Sequence, residues 1–524
     1  MSSDTTAHDA AHESHAAPPA DQPLDDRGSN RSQRPVSQAF RSFITSAWAP
    51  RAEIGPQPSA AATFTPARRD AISALFPGDR LVVPAGSLKQ RSNDTDYRFR
   101  PHTAFAHLTG LGTDQEPDAV LVLHPLRGEG AAPAGHEAVL YVRPLAARDT
   151  EEFYADSRYG EFWVGARPSL DDVTLLTGIR AAHIDELPDA LAKDAGEGGV
   201  RLRVVPDADQ STEILVESLR ALAGTVTSAE ASDETDVDAE LAEALSELRL
   251  VKDEHEIAQM REAVAQTVDG FAEVVRALPR ATAHRRGERV IETTFDAHAR
   301  LEGNTVGYET IAAAGEHATT LHWIRNDGVV RSGDLVLVDA GVEVESLYTA
   351  DVTRTLPVDG TFTDVQRRVY TAVLDAADAA FAVARPGARF SDVHAAAMEV
   401  IADRLESWGL LPASAEASLL PEGQFHRRWM VHGTSHHLGM DVHDCAQARR
   451  EMYLDARLEP GMVFTIEPGL YFKSDDLAVP AEYRGIGVRI EDDVLITATG
   501  HENLSAALPR RAEDVETWMA SLRD

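Results

Sequence analysis

Five segments in the last third of the chain each place an ionisable residue against a hydrophobic run. These residues are Asp339, Asp351, His436, Glu467 and Glu491. A carboxylate on a buried strand is costly unless something neutralises its charge. Four carboxylates and one imidazole that converge from separate elements need more positive charge than nearby arginines bring. The chain therefore has to fold so that these side chains meet, and a pair of metal ions supplies the positive charge.

The ligand types indicate which metal this set prefers. Carboxylate oxygens with one imidazole suit Mn²⁺ or Co²⁺, whereas a structural Zn²⁺ site uses thiolates. The single cysteine, Cys445, cannot change that balance, and we interpret it as a small buried side chain. Two metal ions about 3.5–4 Å apart, bridged by some of the carboxylates, form an arrangement used by aminopeptidases among other enzymes. The sequence therefore predicts two divalent ions, with Mn²⁺ preferred.

Composition narrows the class of protein. A chain of 524 residues is long enough for two or three domains, and no apolar run approaches the roughly 20 residues of a membrane span. The net charge of −35 disfavours binding to nucleic acid and to anionic membranes. The N-terminus lacks the basic and apolar regions of a signal peptide, and one cysteine excludes an intramolecular disulfide. We therefore expect a cytoplasmic protein without a nucleic-acid or membrane partner.

Hydrophobic patterning divides the chain into three parts. Residues 1–36 are polar and acidic without periodicity, and we expect disorder there. We expect residues 37–250 to form an α/β domain that ends in an acidic linker, and residues 251–524 to form a second domain that carries the five ionisable residues. Three short apolar runs predict buried strands in the first domain: 80–84, 119–123 and 138–142.

The second domain combines strands that carry the ionisable residues with amphipathic helices. Apolar residues at helical spacing predict a helix over 257–278, which Pro279 ends. A later helix is predicted to begin with Ser391 as its N-cap and to end at Gly409. The predicted arrangement places strands inside and helices outside.

The motifs around the five residues resemble a known family. They are Asp339-Ala-Gly, Asp351-Val-Thr-Arg-Thr, His432-Gly-Thr-Ser-His436, Ile466-Glu467-Pro-Gly and Arg489-Ile-Glu491-Asp. In this order they resemble the metallopeptidases of the pita-bread fold, and most closely the Xaa-Pro aminopeptidases (aminopeptidase P). The resemblance implies an α/β N-terminal domain followed by an α+β pita-bread catalytic domain, which has a central curved antiparallel sheet and outer helices.

The resemblance continues into the N-terminal half. Residues 91–100, followed by Leu108-Thr-Gly, are similar to the start of an aminopeptidase P N-terminal domain, and 248–256 is similar to that family's linker. Methionine aminopeptidases share only the C-terminal half and fit poorly. One residue more than in the family pattern separates Asp339 from Asp351, and we expect it to lengthen the loop at 343–348.

The resemblance also implies how the metal ions are held. Asp351 and Glu491 bridge both ions, Asp339 holds one of them, and His436 with Glu467 holds the other. The expected cofactor is thus two divalent ions per subunit.

Three further histidines accompany the ligands, and by resemblance His322, His432 and His443 line the substrate site. Neutral imidazoles there can donate hydrogen bonds to the scissile carbonyl or to the substrate chain. The catalytic residues implied are His322, His443, which stabilises the oxyanion together with a metal, and Glu467, which carries a proton to the proline nitrogen. His437 is interpreted as a packing residue.

Arg489 lies two residues before Glu491, so that on a strand both side chains point to one face. Two roles remain open for Arg489, which either holds a ligand carboxylate or binds a substrate group.

The predicted reaction is hydrolysis of the bond between a first residue and a following proline, by attack of a metal-bridging hydroxide. The predicted partners are proline-containing peptides, and the resemblance implies a homo-oligomer. The alternative is an Xaa-Pro dipeptidase (prolidase), which uses the same ligands but needs a free proline carboxylate. A non-catalytic pita-bread protein that binds peptides or partner proteins is a third reading. Members of that kind have typically lost ligands, whereas all five residues occur here.

Overall fold

The structure is a computed structural model that describes residues 37–51, 55–127, 133–196, 199–224 and 231–523. The predicted disordered tail, residues 1–36, lies outside these ranges. In the part of the chain that is described, none of the helices has both the length and the apolar character needed to cross a membrane.

The helices and strands follow one another along the whole described chain. The α-helices are α1 (Gln38–Ile44), α2 (Thr65–Leu75), α3 (Thr103–Thr109), α4 (Glu152–Ala155), α5 (Glu161–Val164), α6 (Leu170–Thr177), α7 (Leu187–Ala192), α8 (Gln210–Leu222), α9 (Ala231–Leu248), α10 (Glu254–Thr282), α11 (Gly287–Glu302), α12 (Asp364–Val383), α13 (Phe390–Ser407), α14 (Ala415–Leu419) and α15 (Ala512–Arg523). Short 3₁₀ helices cover Ala60–Thr63, Ile184–Glu186, Gly315–Thr319 and Phe425–Arg428.

The strands are β1 (Arg80–Pro84), β2 (Gln90–Ser92), β3 (Thr95–Asp96), β4 (Val120–Arg127), β5 (Pro133–Val142), β6 (Arg180–His183), β7 (Leu202–Val204), β8 (Thr305–Val306), β9 (Ile311–Ala314), β10 (Leu335–Ala340), β11 (Val342–Glu343), β12 (Val352–Pro357), β13 (Val463–Ile466), β14 (Gly469–Tyr471), β15 (Gly487–Arg489), β16 (Asp492–Ile496) and β17 (His501–Asn503).

These elements belong to two compact units. The smaller unit comprises the described part of Met1–Ile54 together with Lys89–Tyr97 and Pro144–Pro168. In it, the ring of Trp48 packs edge-on against Phe153 at 5.6 Å and Phe162 at 5.8 Å between ring centroids. The larger unit comprises Gly55–Leu88, Arg98–Arg143 and Ser169–Asp524. The predicted boundary at residue 250 falls inside this larger unit and stays a prediction.

A five-stranded mixed sheet forms the N-terminal part of the larger unit, in the order β6-β5-β4-β1-β7. β1 runs antiparallel to β4 and parallel to β7. Alternate strand residues face opposite sides, so that Leu81 and Val83 enter one apolar core and Val82 enters the other. Because both faces are covered, the strands read as continuous apolar runs. The α/β prediction is confirmed, and β4 and β5 extend beyond the predicted runs.

The C-terminal part contains four small antiparallel sheets. Their strand orders are β12-β10-β9, β13-β16-β17, β14-β15 and β11-β8. The amphipathic helices α10 to α13 bury their apolar faces against these strands in one continuous core, to which Phe271, Tyr370 and Ile401 belong. The α+β architecture with strands inside and helices outside is therefore confirmed.

Two predicted helix limits are wrong. α10 continues through Pro279 to Thr282. A proline in the last turn removes only one backbone hydrogen bond, and this loss is outweighed because Ala281 is buried in the core. α13 begins at Phe390, one residue before the predicted N-cap Ser391, and its N-cap is Arg389. Phe390 is itself a buried core residue, so packing of that ring decides where the helix starts.

Candidate metal centre and active site

The two aspartates lie on neighbouring strands, as predicted. Asp339 is the fifth residue of β10, and Asp351 immediately precedes β12, its antiparallel partner. Between them, a Cβ atom at Gly341 would lie 1.7 Å from the carbonyl oxygen of Ala350. Only glycine therefore lets the two chains approach this closely, and the approach brings the two carboxylates into one cavity.

The hydroxyl of Tyr308 joins these carboxylates. It donates to Oδ1 of Asp339 at 2.6 Å and lies 2.5 Å from Oδ1 of Asp351. A phenol has one hydrogen, which cannot neutralise two carboxylates at once. Additional positive charge is needed at this point.

Glu491 enters from the connection between β15 and β16. Its backbone N–H donates to the carbonyl of Thr353, and its Oε2 accepts from the Thr353 hydroxyl at 2.6 Å. Glu491 is 1% exposed. The strand that follows Asp351 therefore holds this carboxylate directly.

His436 and Glu467 are brought together by a strand-like pairing. The segment around His437 runs antiparallel to β13, with hydrogen bonds from Thr465 N–H to His436 O and from Glu467 N–H to Thr434 O. His436 thus lies beside a strand rather than in one. Its Nε2 is 3.2 Å from Oδ2 of Asp351 and 3.7 Å from Oε1 of Glu467.

Three of the five predicted ligands meet at metal-binding distance. Asp351, His436 and Glu491 each offer a ligand atom, and these atoms lie within 4.8 Å of one another. Asp339 and Glu467 line the same cavity but lie outside this group of three. The oxygen-rich donor set fits divalent metal ions.

The charge balance of the cavity supports that fit. Burial raises the pKa of Glu491 well above its ordinary value, and the charge of Asp351 raises it further. Burial likewise raises the pKa of Glu467 to about 7, against the opposing charges of His436 and Arg489. The carboxylates repel one another at low dielectric, and divalent cations are the partners that would relieve this repulsion.

Arg489 contacts the carboxylate of Asp339, a predicted ligand. Its guanidinium donates to Asp339, to the Thr353 hydroxyl at 3.1 Å and to the Tyr471 hydroxyl at 3.2 Å. This contact agrees with the first of the two roles predicted for Arg489, and the substrate-binding role stays a prediction. Arg489 also lines the cavity.

The three predicted substrate histidines line the same cavity, which has a volume of about 480 Å³. His432 has both ring nitrogens near protein atoms, Gly433 O at 2.7 Å and the Tyr471 hydroxyl at 2.8 Å. Among the described residues, His322 and His443 make no side-chain hydrogen bond. The ring of His443 packs edge-on against His436 with centroids 4.5 Å apart.

His437 and Cys445 stay outside the cavity lining. The ring of His437 is buried and stacks on Phe390 at 4.7 Å, as expected for a packing residue. Cys445 is buried, and burial raises the pKa of its thiol well above the ordinary range.

Sequence reasoning missed several cavity residues. Tyr308 and Tyr471 supply hydroxyls to the carboxylates and to Arg489, and the side chains of Ile311, Leu321 and Val442 give the cavity an apolar wall. A signal for Thr353 was present, because it lies two residues after Asp351 and so shares its strand face. Tyr308 has no such signal, since it lies 31 residues before Asp339.

Both halves of the chain are similar to known proteins. The model of "Metallopeptidase family M24" matches residues 258–498, and the model of "Aminopeptidase P, N-terminal domain" matches residues 65–200. Xaa-Pro aminopeptidase 1 of Streptomyces coelicolor is 52% identical over 488 residues, 93% of each chain. Xaa-Pro aminopeptidase of Escherichia coli is 31% identical over 463 residues, 88% of this chain and 98% of that one.

Solved structures of aminopeptidases are also similar to this chain. The Pseudomonas aeruginosa aminopeptidase PepP is 28% identical with a TM-score of 0.73, covering 88% of this chain and 98% of that chain. Zinc-substituted E. coli aminopeptidase P in complex with product is 29% identical with a TM-score of 0.74, covering 90% and 100%.

Proposed function

Because the chain belongs to metallopeptidase family M24 and, within it, to the Xaa-Pro aminopeptidases, we propose that the cavity around Asp339, Asp351 and Glu491 is its active site. The protein is a metallo-aminopeptidase that releases the first residue from peptides with proline in the second position. The observation that carries the proposal is that separate segments deliver acidic and histidine side chains into one cavity.

Two divalent ions are proposed to bind here, with Mn²⁺ preferred for an oxygen-rich donor set. Asp351 and Glu491 would contact both ions, Asp339 one, and His436 with Glu467 the other. The short distances among Asp351, His436 and Glu491 support this assignment. When bound, the ions supply an activated water and polarise the scissile carbonyl.

The side chains of the cavity are proposed to transfer a proton, bind the substrate and orient a ligand. Glu467 is the proposed group that takes a proton from the attacking water and passes it to the proline nitrogen, which has no hydrogen of its own. His322 and His443 are proposed to donate hydrogen bonds to the substrate, which is supported by ring nitrogens that make no side-chain hydrogen bond among the described residues. Arg489 keeps Asp339 oriented.

His432 is proposed to line the substrate site while bonded to protein atoms. Its Nε2 lies 2.8 Å from the Tyr471 hydroxyl, which also accepts from Arg489. We infer that this chain of contacts fixes the His432 ring, so that it shapes the wall of the cavity.

Three wider predictions go with this function. The proposed domain boundary near residue 250 lies between the two matched segments, 65–200 and 258–498, which supports it. Homo-oligomerisation and the cytoplasmic location stay predictions.

The substrate class is tested with Ala-Pro-Ala, Ala-Pro and Ala-Ala-Ala at equal concentration and with Mn²⁺. We expect kcat/KM to be highest for Ala-Pro-Ala, and at least about tenfold lower for Ala-Ala-Ala, a difference of about 1.4 kcal/mol in transition-state binding. Chelated, metal-free protein serves as the control and should be inactive. Preference for the dipeptide would transfer the assignment to an Xaa-Pro dipeptidase, and equal rates on both tripeptides would remove the proline specificity.

A further inference from the structure

The segment that carries His443 contains no helix or strand. Residues 439–445, called the His443 segment below, consist of bends and turns. Few backbone hydrogen bonds involve it in the described chain. Gly439 N–H donates to Asp441 O at 3.2 Å and Asp444 N–H to His437 O at 3.0 Å, while Gly439 O accepts from Thr349 N–H at 2.9 Å and Cys445 O from Ala448 N–H at 3.0 Å. The position of the His443 ring therefore depends on contacts with other parts of the chain.

The first set of contacts comes from the N-terminal half. Arg100 Nη2 donates to the carbonyl of Met440 at 2.7 Å and lies 3.3 Å from Oδ1 of Asp441. The hydroxyl of Thr103 donates to the same Oδ1 at 2.7 Å. Two side chains thus hold the segment three and two residues before His443.

Arg100 also reaches the connection between the two aspartate ligands. Its Nε donates to Oε2 of Glu343 at 2.9 Å, and Glu343 lies between Asp339 and Asp351. One guanidinium therefore links the end of β11 to the His443 segment. A planar group with several fixed donors suits such a link better than a lysine ammonium would.

The second set of contacts comes from the linker. Arg249 Nε donates to Oδ1 of Asp444 at 3.0 Å, and Lys252 Nζ is 3.9 Å from the other carboxylate oxygen. These three side chains are buried. A Cβ atom at Gly439 would lie 2.2 Å from Asp444, so the segment is packed directly against this ion cluster. Asp444 is the residue after His443.

The proposed reaction does not use the two sequence motifs 91–100 and 248–256, yet each of them contacts the same seven residues of the His443 segment. We propose that Arg100 and Arg249 are positioning residues for His443: they hold the His443 segment on both sides of that histidine, in the geometry in which its ring meets the substrate. The proposal rests on the proposed function, because the role of His443 belongs to it. The N-terminal half then contributes to turnover without touching the substrate.

A double-mutant cycle tests the link between Arg100 and His443. Arg100→Met keeps the apolar stem and removes all donors. We expect it to lower kcat/KM on Ala-Pro-Ala at least about tenfold in the wild-type background, and less than about twofold when His443 is already alanine. Bound metal per subunit should stay unchanged, because Arg100 touches none of the predicted ligands. Arg100→Lys, which keeps the charge, should recover part of the activity.

Arg180→Met is the matched control. Arg180 is an exposed arginine paired with Glu137 at 3.0 Å on the N-terminal sheet, and its loss should leave kcat/KM within about twofold. Equal losses for Arg100→Met in both backgrounds would show that it acts independently of His443 and would overturn the proposal. So would wild-type activity in Arg100→Met.

Hydrogen exchange provides a readout that does not need turnover. In Arg100→Met and in Arg249→Met, amides of residues 439–445 should exchange at least about tenfold faster than in the wild type, while those of β10 and β12 stay protected. Unchanged exchange in the segment would overturn the proposal. If the wild type failed to cleave any proline peptide, the proposed function would fall, and the exchange result would still decide whether these arginines hold the segment.

Discussion

Glu491 is the most deeply buried of the five carboxylates that line the cavity in the described part of the chain. Replacing it by glutamine keeps its size and leaves an acceptor for the Thr353 hydroxyl. In the metal-free protein, burial and the neighbouring carboxylates disfavour the ionised form of Glu491, and a neutral glutamine avoids this cost, so Tm should not fall. With Mn²⁺ present, a proposed ligand to both ions is lost. We therefore expect Glu491→Gln to abolish the Mn²⁺-induced rise in Tm and to reduce kcat at least about 100-fold.

Scanning calorimetry with and without Mn²⁺, and metal analysis of the purified variant, measure this prediction. Glu502→Gln is the matched control, because Glu502 forms an exposed ion pair with Arg261 at 2.8 Å. Its removal should change neither Tm nor turnover appreciably. A Glu491→Gln protein that still gains stability from Mn²⁺ would show that Glu491 is not a ligand.

The site residues that could be predicted from the sequence differ from those that could not in whether their burial is visible in the local pattern. Asp339 ends a continuous apolar run, and Glu467 follows a mainly apolar one, so that their burial cost is visible in the sequence. Tyr308 joins two carboxylates through one hydroxyl, and a buried tyrosine is ordinary in any core. Its role depends on a tertiary contact, which local patterning does not contain.

The element that carries His322 is held by one carboxylate. Residues 315–328, called the His322 arm, follow β9, and Glu288 of α11 lies fully buried beneath them. Glu288 accepts from the backbone N–H groups of Ala314 at 2.8 Å and Gly328 at 2.6 Å. It also bonds the side chains of Trp323 at 2.9 Å and His317 at 2.7 Å, whose rings stack on each other. Both ends of the arm are therefore fixed to α11.

Glu288→Gln should loosen the arm without emptying the metal site. The amide presents an N–H₂ group where Glu288 accepts hydrogen bonds, so at least one buried donor loses its partner, which costs about 1–3 kcal/mol. We expect KM for Ala-Pro-Ala to rise about tenfold, with a smaller change in kcat, because His322 is displaced while the ligands stay. Steady-state kinetics and metal analysis check this outcome.

The control for this prediction lies on the same helix. Glu302 is exposed at the end of α11, and Glu302→Gln should leave both kinetic constants unchanged. If Glu288→Gln lowered bound metal rather than substrate affinity, the arm would not be the element that Glu288 supports.

Element types could be predicted where one apolar pattern dominates. β1 matches its predicted limits, because all five of its residues are buried and Asp79 precedes the run. Helix ends were harder, since they depend on single contacts. The side chain of Phe390 packs against Tyr453 and Phe464, and this packing outweighs the capping preference of Ser391. Pro279 is tolerated for the same reason, as its neighbours in α10 are buried.

For the whole molecule, the two-part architecture could be predicted because motifs occur in both halves. The contacts between them could not, since Arg100 and Asp441 are 341 residues apart and nothing in either motif points to the other. Whether two segments so far apart along the chain come into contact depends on the complete fold. The sequence pattern thus indicates the family and predicts a ligand set, while the arrangement around His443 emerges only from tertiary structure.

The net charge of −35 belongs to the whole molecule and should affect how readily charged peptides reach the cavity. Two divalent ions would neutralise only a small part of it. At 0.01 M salt the screening length is about 30 Å, so cationic peptides are attracted from a distance, whereas at 0.15 M it is about 8 Å. We expect the ratio of kcat/KM for Ala-Pro-Ala-Lys-Lys to that for Ala-Pro-Ala-Glu-Glu to fall at least about threefold between these conditions. Ala-Pro-Ala-Gln-Gln controls for effects of salt on the chemistry itself, and an identical salt dependence for all three peptides would mean that the acidic surface does not steer substrate.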